Sequence, residues 1–479
     1  MLAPPSPAPP KPTGGLPRTI HAMLLTPADL ARLFGGRLEG AGERCAPLAA
    51  IETDSRRAGP GSAFVALAGE RMDGHAYVAA AAAAGAALAV VAEGRPLPDG
   101  HPPLLLRVDD TALALRRACA ARLAELGCAV VGVTGSVGKT SAKELCALAL
   151  GGHDAAATAG NLNTWTGIPL SVLALRPPVG VFVAEMAMSA PGEIRDLASF
   201  TRPVTGVLLN VGLSHVELLG SLAAIGDAKA ELLEALPPDG SAICNADDPE
   251  VRRVAGRSRA PVTWFGLDAA ADYRAVEVAR DGLEGIRCRL IGPDGSAPLH
   301  LRVPGLHTVS NACAAAAVAG RHGVGIAEAA ERLAAFAAPA QRGVVSRGPG
   351  GALIIDDSYN ASPASVAAAL EVLAGSGAPR RLAVLGDMLE LGEHARPAHA
   401  EAGRQAARAA TALIAVGEHA SLMVEAAVAA GMPRERARVA GDVEEAAGMA
   451  RAQCDSGTVV LVKASHGVAL ERVVESLLR

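Results

Sequence analysis

Large aromatic side chains are scarce in this chain. Tryptophan, tyrosine and phenylalanine make up 2% of the 479 residues, whereas half of the residues are hydrophobic. The cores must therefore be built mainly from alanine, valine and leucine. A basic excess is also missing, because the formal net charge is −5. A general nucleic-acid-binding protein needs such an excess to neutralise phosphates, so this class is excluded.

Paired cysteines and membrane-length apolar runs are absent too. The eight cysteines are scattered and form no C-x-x-C pair, which argues against zinc and redox motifs and favours a reducing cytoplasm. The longest apolar run, 79–92, contains a glycine and fits a helix followed by a strand, not a membrane span. The proline-rich start lacks the pattern of a secretory signal, so residues 1–22 are predicted to be a disordered tail.

A glycine loop follows a short apolar run, 128–133, that predicts a buried strand. The loop reads Thr-Gly-Ser-Val-Gly-Lys-Thr-Ser over 134–141 and leads into a predicted helix. Backbone N–H groups of such a loop face a polyphosphate, and the helix N-terminus adds a positive dipole. Lys139 would reach the terminal phosphates, and the Thr140 hydroxyl would take a Mg²⁺ position. The strict phosphate-loop pattern is not quite met, because Val133 replaces its first glycine.

Strands and helices alternate along most of the chain, which predicts an α/β protein with mainly parallel sheets. In such sheets a ligand binds beyond the carboxyl ends of the strands. Glu185 and His215 follow predicted strands at those ends. Both could be magnesium ligands, although a nitrogen ligand is less usual for this ion. The alternative is that Glu185 caps a loop and that His215 packs beneath it.

Three further positions are candidates by residue type. Lys229 lies on a predicted helix, where most lysines are simply solvated. Asn311 lies inside a predicted helix that opens near His307, a position that suits asparagine poorly. It could read an adenine edge, or it could face water. The polar cluster 356–360 follows a predicted strand and could be functional, or it could cap the helix that starts near Pro363.

The pattern predicts three domains after the tail. A small N-terminal α/β domain covers 23–108, and a central nucleotide-binding domain covers 109–338, with an antiparallel excursion at 264–303. A Rossmann-like domain covers 339–479. It has no G-x-G-x-x-G motif after its first strand, so no dinucleotide is assigned to it.

Taken together, these segments resemble the Mur ligase superfamily, the ATP-dependent amide ligases of peptidoglycan precursor synthesis. The motifs that carry the resemblance are 134–140, Asn161-Leu162-Asn163, Glu185, His215 with Gly220-Ser221, 228–231, and His307 with Asn311-Ala312. Residues 53–56 and 64–67 look like the UDP-binding N-terminal domain of the third and fourth ligases. Residues 356–361 and 386–392 are similar to the D-alanyl-D-alanine-adding members, and the D-N-P-R motif of diaminopimelate-adding members is absent.

The resemblance implies a reaction and its partners. ATP would phosphorylate the terminal carboxylate of UDP-N-acetylmuramoyl-tripeptide, and the amine of D-alanyl-D-alanine would displace phosphate from the acyl phosphate. Two Mg²⁺ ions would be held by Thr140, Glu185, His215 and a carbamylated Lys229. The resemblance further implies a cytoplasmic enzyme, expected to be a monomer, whose domains close around ATP.

The resemblance also assigns residues to roles. The catalytic residues would be Lys139, Glu185, His215 and Lys229. The nucleotide contacts would be Gly135, Ser136, Val137, Gly138, Lys139, Thr140, Ser141, Asn311, Arg342 and Asp357. The substrate contacts would be Asp54, Ser55, Arg56, Asn161 and Asn163. The chain departs from the family pattern at Ser189, Ala190, Thr308, Ser362, Ala464 and His466, which concerns local contacts and not the class of reaction.

Two alternatives stay open at this point. Another amide ligase of the superfamily could carry the same phosphate loop and add diaminopimelate or lysine, or resemble folylpolyglutamate synthase. The last of these lacks the N-terminal UDP-binding domain, so residues 53–67 weigh against it. A regulatory P-loop NTPase would instead move a partner without joining two substrates.

Overall fold

The structure is a computed structural model that describes residues 25–69, 72–151, 154–214 and 216–479. These residues separate into two compact units, which divide after Ala118. Two predictions fall outside the described residues: the disordered tail over 1–22 and the role of His215. The domain limits at 108 and 338 stay predictions.

The first unit contains a five-stranded mixed sheet. Its strands are β1 (Arg37–Gly40), β2 (Ile51–Glu52), β3 (Ala63–Val65), β4 (Leu88–Ala92) and β5 (Leu104–Val108), and its helices are α1 (Pro27–Phe34) and α2 (Val78–Ala83). The strand order is β1-β5-β4-β3-β2, and only β1 runs antiparallel to its neighbour. Thr26 and Asp29 form a reciprocal capping box that starts α1. Helix α3 (Thr111–Leu126) follows the sheet.

The second unit begins with a nine-stranded sheet. Its strands are β6 (Ala129–Thr134), β7 (Ala155–Ala157), β8 (Val181–Glu185), β9 (Thr205–Leu208), β10 (Ser241–Asn245), β11 (Val262–Gly266), β12 (Tyr273–Arg280), β13 (Ile286–Gly292) and β14 (Gly295–Leu301). Strands β6 to β12 pair in parallel, whereas β12, β13 and β14 pair antiparallel. The predicted antiparallel excursion is therefore confirmed.

Eight helices accompany this sheet, and together with it they form what we call the central lobe. They are α4 (Lys139–Leu150), α5 (Gly167–Leu173), α6 (Glu193–Thr201), α7 (Val216–Leu219), α8 (Leu222–Glu234), α9 (Pro249–Ala255), α10 (Leu306–Arg321) and α11 (Ile326–Leu333). Helix α10 packs against α4 through buried alanines. The small side chains allow close packing, and they explain how a chain with few aromatics builds a dense core.

A six-stranded sheet and its helices form the second part of this unit, the C-terminal lobe. The strands are β15 (Val344–Arg347), β16 (Leu353–Asp356), β17 (Arg380–Leu385), β18 (Ala412–Val416), β19 (Ala437–Ala440) and β20 (Thr458–Lys463). The helices are α12 (Pro363–Ala374), α13 (Ala395–Ala409), α14 (Ala420–Ala429), α15 (Val443–Arg451) and α16 (Glu471–Leu478). The strand order is β15-β16-β20-β17-β18-β19, and only β15 is antiparallel. The two edge strands, β15 and β19, are short and only partly buried.

All eight cysteines are free thiols. Among the residues that the structure describes, none of the helices combines the length and apolar character needed to cross a bilayer. The three sheets confirm the predicted α/β class, and the carboxyl ends of β6, β8 and β9 meet at one edge of the central sheet. The phosphate loop follows β6 and Glu185 ends β8 at that edge.

Candidate active site

The phosphate loop joins β6 to α4. Gly138 is the N-cap residue of α4 and has a φ of 81° and a ψ of −1°, in the left-handed region that favours glycine. A Cβ atom at this position would lie 3.1 Å from Nδ2 of Asn311. Beyond Gly138, the first N–H groups of α4 have no acceptors within the helix, so they are directed outward and can bind an anion. Ser141 lies in this same first turn.

A second loop, 209–212, holds the phosphate loop in place. Oδ1 of Asn210 accepts the Val137 N–H at 2.9 Å, and Nδ2 of Asn210 donates to the Val137 carbonyl at 3.0 Å. The Ser136 hydroxyl donates to the Gly212 carbonyl at 2.9 Å and accepts from the Gly212 N–H at 2.8 Å. The backbone of the phosphate loop is thus fixed by protein contacts. The Val137 N–H donates to Asn210, so Val137 helps to fix the conformation of the loop and its N–H is not available to a phosphate.

Glu185 ends β8 and is only 2% exposed. One carboxylate oxygen accepts the Thr140 hydroxyl at 2.7 Å, and the other accepts Nδ2 of Asn163, also at 2.7 Å. Both partners are neutral side chains, so neither of them pairs Glu185 with a positive charge. The oxygens of Thr140 and Glu185 are the kind of hard ligand that Mg²⁺ prefers.

Two lysines converge on one backbone carbonyl of the phosphate loop. Nζ of Lys139 donates to the Gly135 oxygen at 2.8 Å, and Nζ of Lys229 donates to the same atom at 3.2 Å. Lys229 lies on α8 and is 2% exposed. Burial and then the nearby charge of Lys139 hold the pKa of Lys229 well below its usual range. Desolvation also lowers the pKa of Lys139, and Glu185 opposes that shift.

Asn311 faces the phosphate loop and not open water. It is 5% exposed, and its Nδ2 lies 3.5 Å from the Gly138 carbonyl oxygen, at the outer limit of a hydrogen bond. Its position on α10, the helix that packs against α4, explains this placement. An amide side chain at this point can contact a nucleotide held by the loop.

The C-terminal lobe adds a second set of polar groups. Oδ2 of Asp357 accepts Nζ of Lys463 at 2.7 Å, and Lys463 also donates to the Asn360 carbonyl at 2.8 Å. The Arg342 guanidinium lies 3.9 Å from the centre of the Tyr359 ring, and its positive charge contributes to lowering the pKa of Lys139. The Arg342 charge therefore lies near enough to act on Lys139, and we call the region between the two lobes that holds both residues the cleft.

The predicted substrate contacts fall in two places. Asn161 and Asn163 lie in the loop between β7 and α5, and Asn161 donates to the Tyr359 hydroxyl at 2.9 Å. Asp54, Ser55 and Arg56 lie in the first unit, where the Asp54 carboxylate accepts the backbone N–H of Arg56 at 3.0 Å and its Nε at 2.9 Å. These bonds lower the pKa of Asp54 to about 2. The Arg56 side chain is mostly exposed and accessible to a ligand.

Sequence reasoning missed three residues that shape the site: Lys143, Asn210 and Lys463. Lys143 is fully buried on α4. Its Nζ donates to the carbonyls of Thr158 and Gly160 at 2.7 and 3.0 Å and lies 2.9 Å from a Glu144 oxygen. Lys143 therefore anchors the loop that carries Asn161 and Asn163. The sequence gives no signal that distinguishes a buried lysine in the first turns of a helix from one that is exposed to solvent.

Another cluster, Asp387, His399 and His419, places ligand-type atoms within 4.8 Å of one another. Its geometry does not suit a metal ion. The two imidazole rings stack with centroids 4.2 Å apart and planes inclined by 13°, so no ion could lie in both ring planes. Nε2 of His399 also already accepts the Met388 N–H at 2.9 Å. The cluster instead holds the loop that follows β17.

A phosphate loop, a buried carboxylate beside the loop threonine and two converging lysines define a P-loop nucleotide-binding enzyme. Three family models match the chain: the Mur ligase family catalytic domain at 47–131, the Mur ligase middle domain at 133–319, and the Mur ligase glutamate ligase domain at 341–466. The chain is also 37% identical to the UDP-N-acetylmuramoyl-tripeptide–D-alanyl-D-alanine ligase of Mycobacterium tuberculosis, over 95% of this chain and 97% of that protein. The chain belongs to the Mur ligase family.

Solved structures agree with this assignment. A crystal structure of MurF from Acinetobacter baumannii matches with a TM-score of 0.82 at 30% identity, over 95% of this chain and 98% of that one. The MurF ligase from Thermotoga maritima, solved in complex with ADP, matches with a TM-score of 0.76 at 28% identity, over 89% and 96% of the two chains.

The role of Lys143 gives a first prediction. In Lys143→Met, the carbonyls of Thr158 and Gly160 lose a buried donor, so we expect the free energy of unfolding to fall by about 1–3 kcal/mol in urea titrations. Glu144→Gln is the matched control, since it removes the ion pair and keeps both carbonyl contacts. It should change stability by less than about 0.5 kcal/mol. Equal losses in the two variants would contradict the anchoring role.

Proposed function

We propose that this protein joins D-alanyl-D-alanine to the peptide carboxylate of UDP-N-acetylmuramoyl-tripeptide, consuming ATP and releasing ADP, phosphate and UDP-N-acetylmuramoyl-pentapeptide. The observation that carries the proposal is the convergence of Lys139, Thr140, Glu185 and Lys229 on one phosphate loop, in a chain that matches a ligase of this name over nearly its whole length. We further infer that the reaction takes place in the cytoplasm and that the chain acts as a monomer.

The chemistry explains why a nucleotide is needed. A carboxylate does not react directly with an amine, because an oxide ion would have to leave. Transfer of the terminal phosphoryl group of ATP to a carboxylate oxygen gives an acyl phosphate and ADP. The amine then attacks the acyl carbon, the tetrahedral intermediate expels phosphate, and the nitrogen loses a proton. Most of the catalysis in such a transfer is positioning and charge neutralisation.

The residues of the cleft suit these tasks. The N-terminus of α4 and the Lys139 ammonium would bind the phosphates, and Arg342 would neutralise charge from the C-terminal lobe. Thr140 and Glu185 offer two oxygens for Mg²⁺, which when bound would neutralise and orient the phosphate oxygens. We infer from the family resemblance that His215 helps to hold a second ion. Asn311 and Asp357 would contact the adenosine part of ATP.

Carbamylation of Lys229 also belongs to the proposal. Attack on CO₂ requires a neutral amine, and the depressed pKa of Lys229 makes that form available. A new N–C bond forms, a proton is lost, and the product is a carbamate anion. The modification would replace the Lys229 amine beside Lys139 by an anion that can bind Mg²⁺. The substrate contacts are inferred from the family resemblance. Asp54, Ser55 and Arg56 of the first unit would bind the UDP part of the peptide substrate. Asn161 and Asn163 would contact its peptide part.

A ligation assay tests the proposed function. We expect release of one phosphate for each D-alanyl-D-alanine joined, and only when UDP-N-acetylmuramoyl-tripeptide, ATP and Mg²⁺ are all present. The assay should be repeated with free diaminopimelate and with lysine as amines, using the corresponding shorter peptide substrate. Ligation of either would favour another amide ligase of the family, and phosphate release without any acceptor would indicate a regulatory NTPase.

A substitution tests the carbamate. Lys229→Ala should lower kcat by about 10²–10³-fold, because a charged group at the phosphoryl centre is lost. Bicarbonate cannot react with alanine, but it or a short carboxylic acid such as acetate can enter the space left and supply the missing anion. We therefore expect partial recovery of ligation in the variant with either additive, and no stimulation of the wild type by acetate, which cannot form a carbamate. Full activity of Lys229→Ala without any additive would remove the carbamate from the mechanism.

A further inference from the structure

Tyr359 links the two lobes of the second unit at the cleft. Its hydroxyl accepts Nδ2 of Asn161 at 2.9 Å. Asn161 belongs to the central lobe, in the loop between β7 and α5, whereas Tyr359 belongs to the C-terminal lobe, in the loop after β16. The contact joins two side chains that no secondary structure brings together, so it depends on how closely the lobes approach.

The ring of Tyr359 has a second contact, with Arg342. The guanidinium carbon lies 3.9 Å from the ring centre, the arrangement of a cation–π interaction. The backbone reinforces this pairing, because the Tyr359 N–H donates to the Gln341 carbonyl at 3.2 Å and the Gly343 N–H donates to the Asp356 carbonyl at 2.8 Å. Gln341 has a φ of 61°, a costly conformation for this residue type that such contacts must maintain.

Arg342 and Asn161, the two contacts of Tyr359, are each connected to residues of the proposed reaction centre. The charge of Arg342 acts on Lys139 of the phosphate loop. The Asn161 loop also carries Asn163, whose amide donates to the Glu185 carboxylate at 2.7 Å. Tyr359 therefore touches both the cation supplied by the C-terminal lobe and the loop that supports the proposed magnesium ligand.

We propose that Tyr359 is a positioning residue for the ligation reaction. Its ring holds Arg342 toward the phosphate loop, and its hydroxyl, through Asn161, fixes the closed arrangement of the two lobes. The proposal rests on the proposed function. An arginine has many rotamers, and stacking it on an aromatic ring reduces the entropy that binding would otherwise cost. The hydroxyl reaches Asn161 only when the lobes are close, so this hydrogen bond favours the closed state.

Two substitutions separate the two roles of Tyr359. Tyr359→Phe keeps the ring beneath Arg342 and removes the acceptor, so we expect kcat to fall about three- to tenfold with little change in ADP affinity. Tyr359→Leu removes the ring as well, so ADP should also bind about two- to tenfold more weakly in calorimetry. Tyr273→Phe is the matched control, because it removes a tyrosine hydroxyl from β12 of the central lobe, and it should change neither quantity.

A double-mutant cycle identifies the partner of the hydroxyl. If the bond to Asn161 is what matters, adding Tyr359→Phe to Asn161→Ala should lower kcat no further than Asn161→Ala does alone. If the double variant instead shows the product of the two single decreases in kcat, the two residues act independently and the bridging role is wrong. Wild-type ADP affinity in Tyr359→Leu would overturn the role of the ring, and if that variant does not fold, Arg342→Gln replaces it in the same comparison. ADP binding is measured without ligation, so a wild type that fails to ligate D-alanyl-D-alanine would refute the proposed function separately.

Discussion

The carbonyl oxygen of Gly135 accepts hydrogen bonds from two lysines, and this shared contact constrains the whole site. Two ammonium groups in one desolvated place repel each other, which disfavours the charged form of both. The effect is larger at Lys229, whose pKa is held well below its usual range by burial and then by Lys139. An ammonium at Lys139 suits phosphate binding, and the oxygens of Glu185 suit a metal ion.

The surrounding structure keeps these groups in place before any ligand arrives. Asn210 and Gly212 brace the backbone of the phosphate loop, and Lys143 anchors the neighbouring loop whose Asn163 holds Glu185. Such preorganisation matters because phosphoryl transfer is accelerated mainly by correct placement of charge. The C-terminal lobe contributes Arg342, which depends on Tyr359 for its orientation. In the function we propose, both lobes supply charged groups, and the approach of the lobes completes the site.

The sequence predicted the parts of this site that depend on local pattern. The glycine loop between a strand and a helix, and Glu185 at the end of a buried strand, follow from periodicity and the rules for parallel sheets. Contacts between distant loops were not predictable. The sequence around Asn161 or Tyr359 does not indicate which distant residue each of them contacts. The burial of Lys229 and Lys143 could not be predicted either, because a helical sequence pattern does not show whether a lysine faces the protein interior. The family resemblance supplied the proposed role of Lys229, which its spacing alone did not.

The central claim is that the terminal phosphoryl group of ATP passes to the carboxylate of the peptide substrate in this cleft. The most direct measurement uses UDP-N-acetylmuramoyl-tripeptide labelled with ¹⁸O in its terminal carboxylate and follows the label by mass spectrometry. If an acyl phosphate forms, one labelled oxygen must appear in the inorganic phosphate released during ligation. Phosphate free of label, with ligation proceeding normally, would contradict the account.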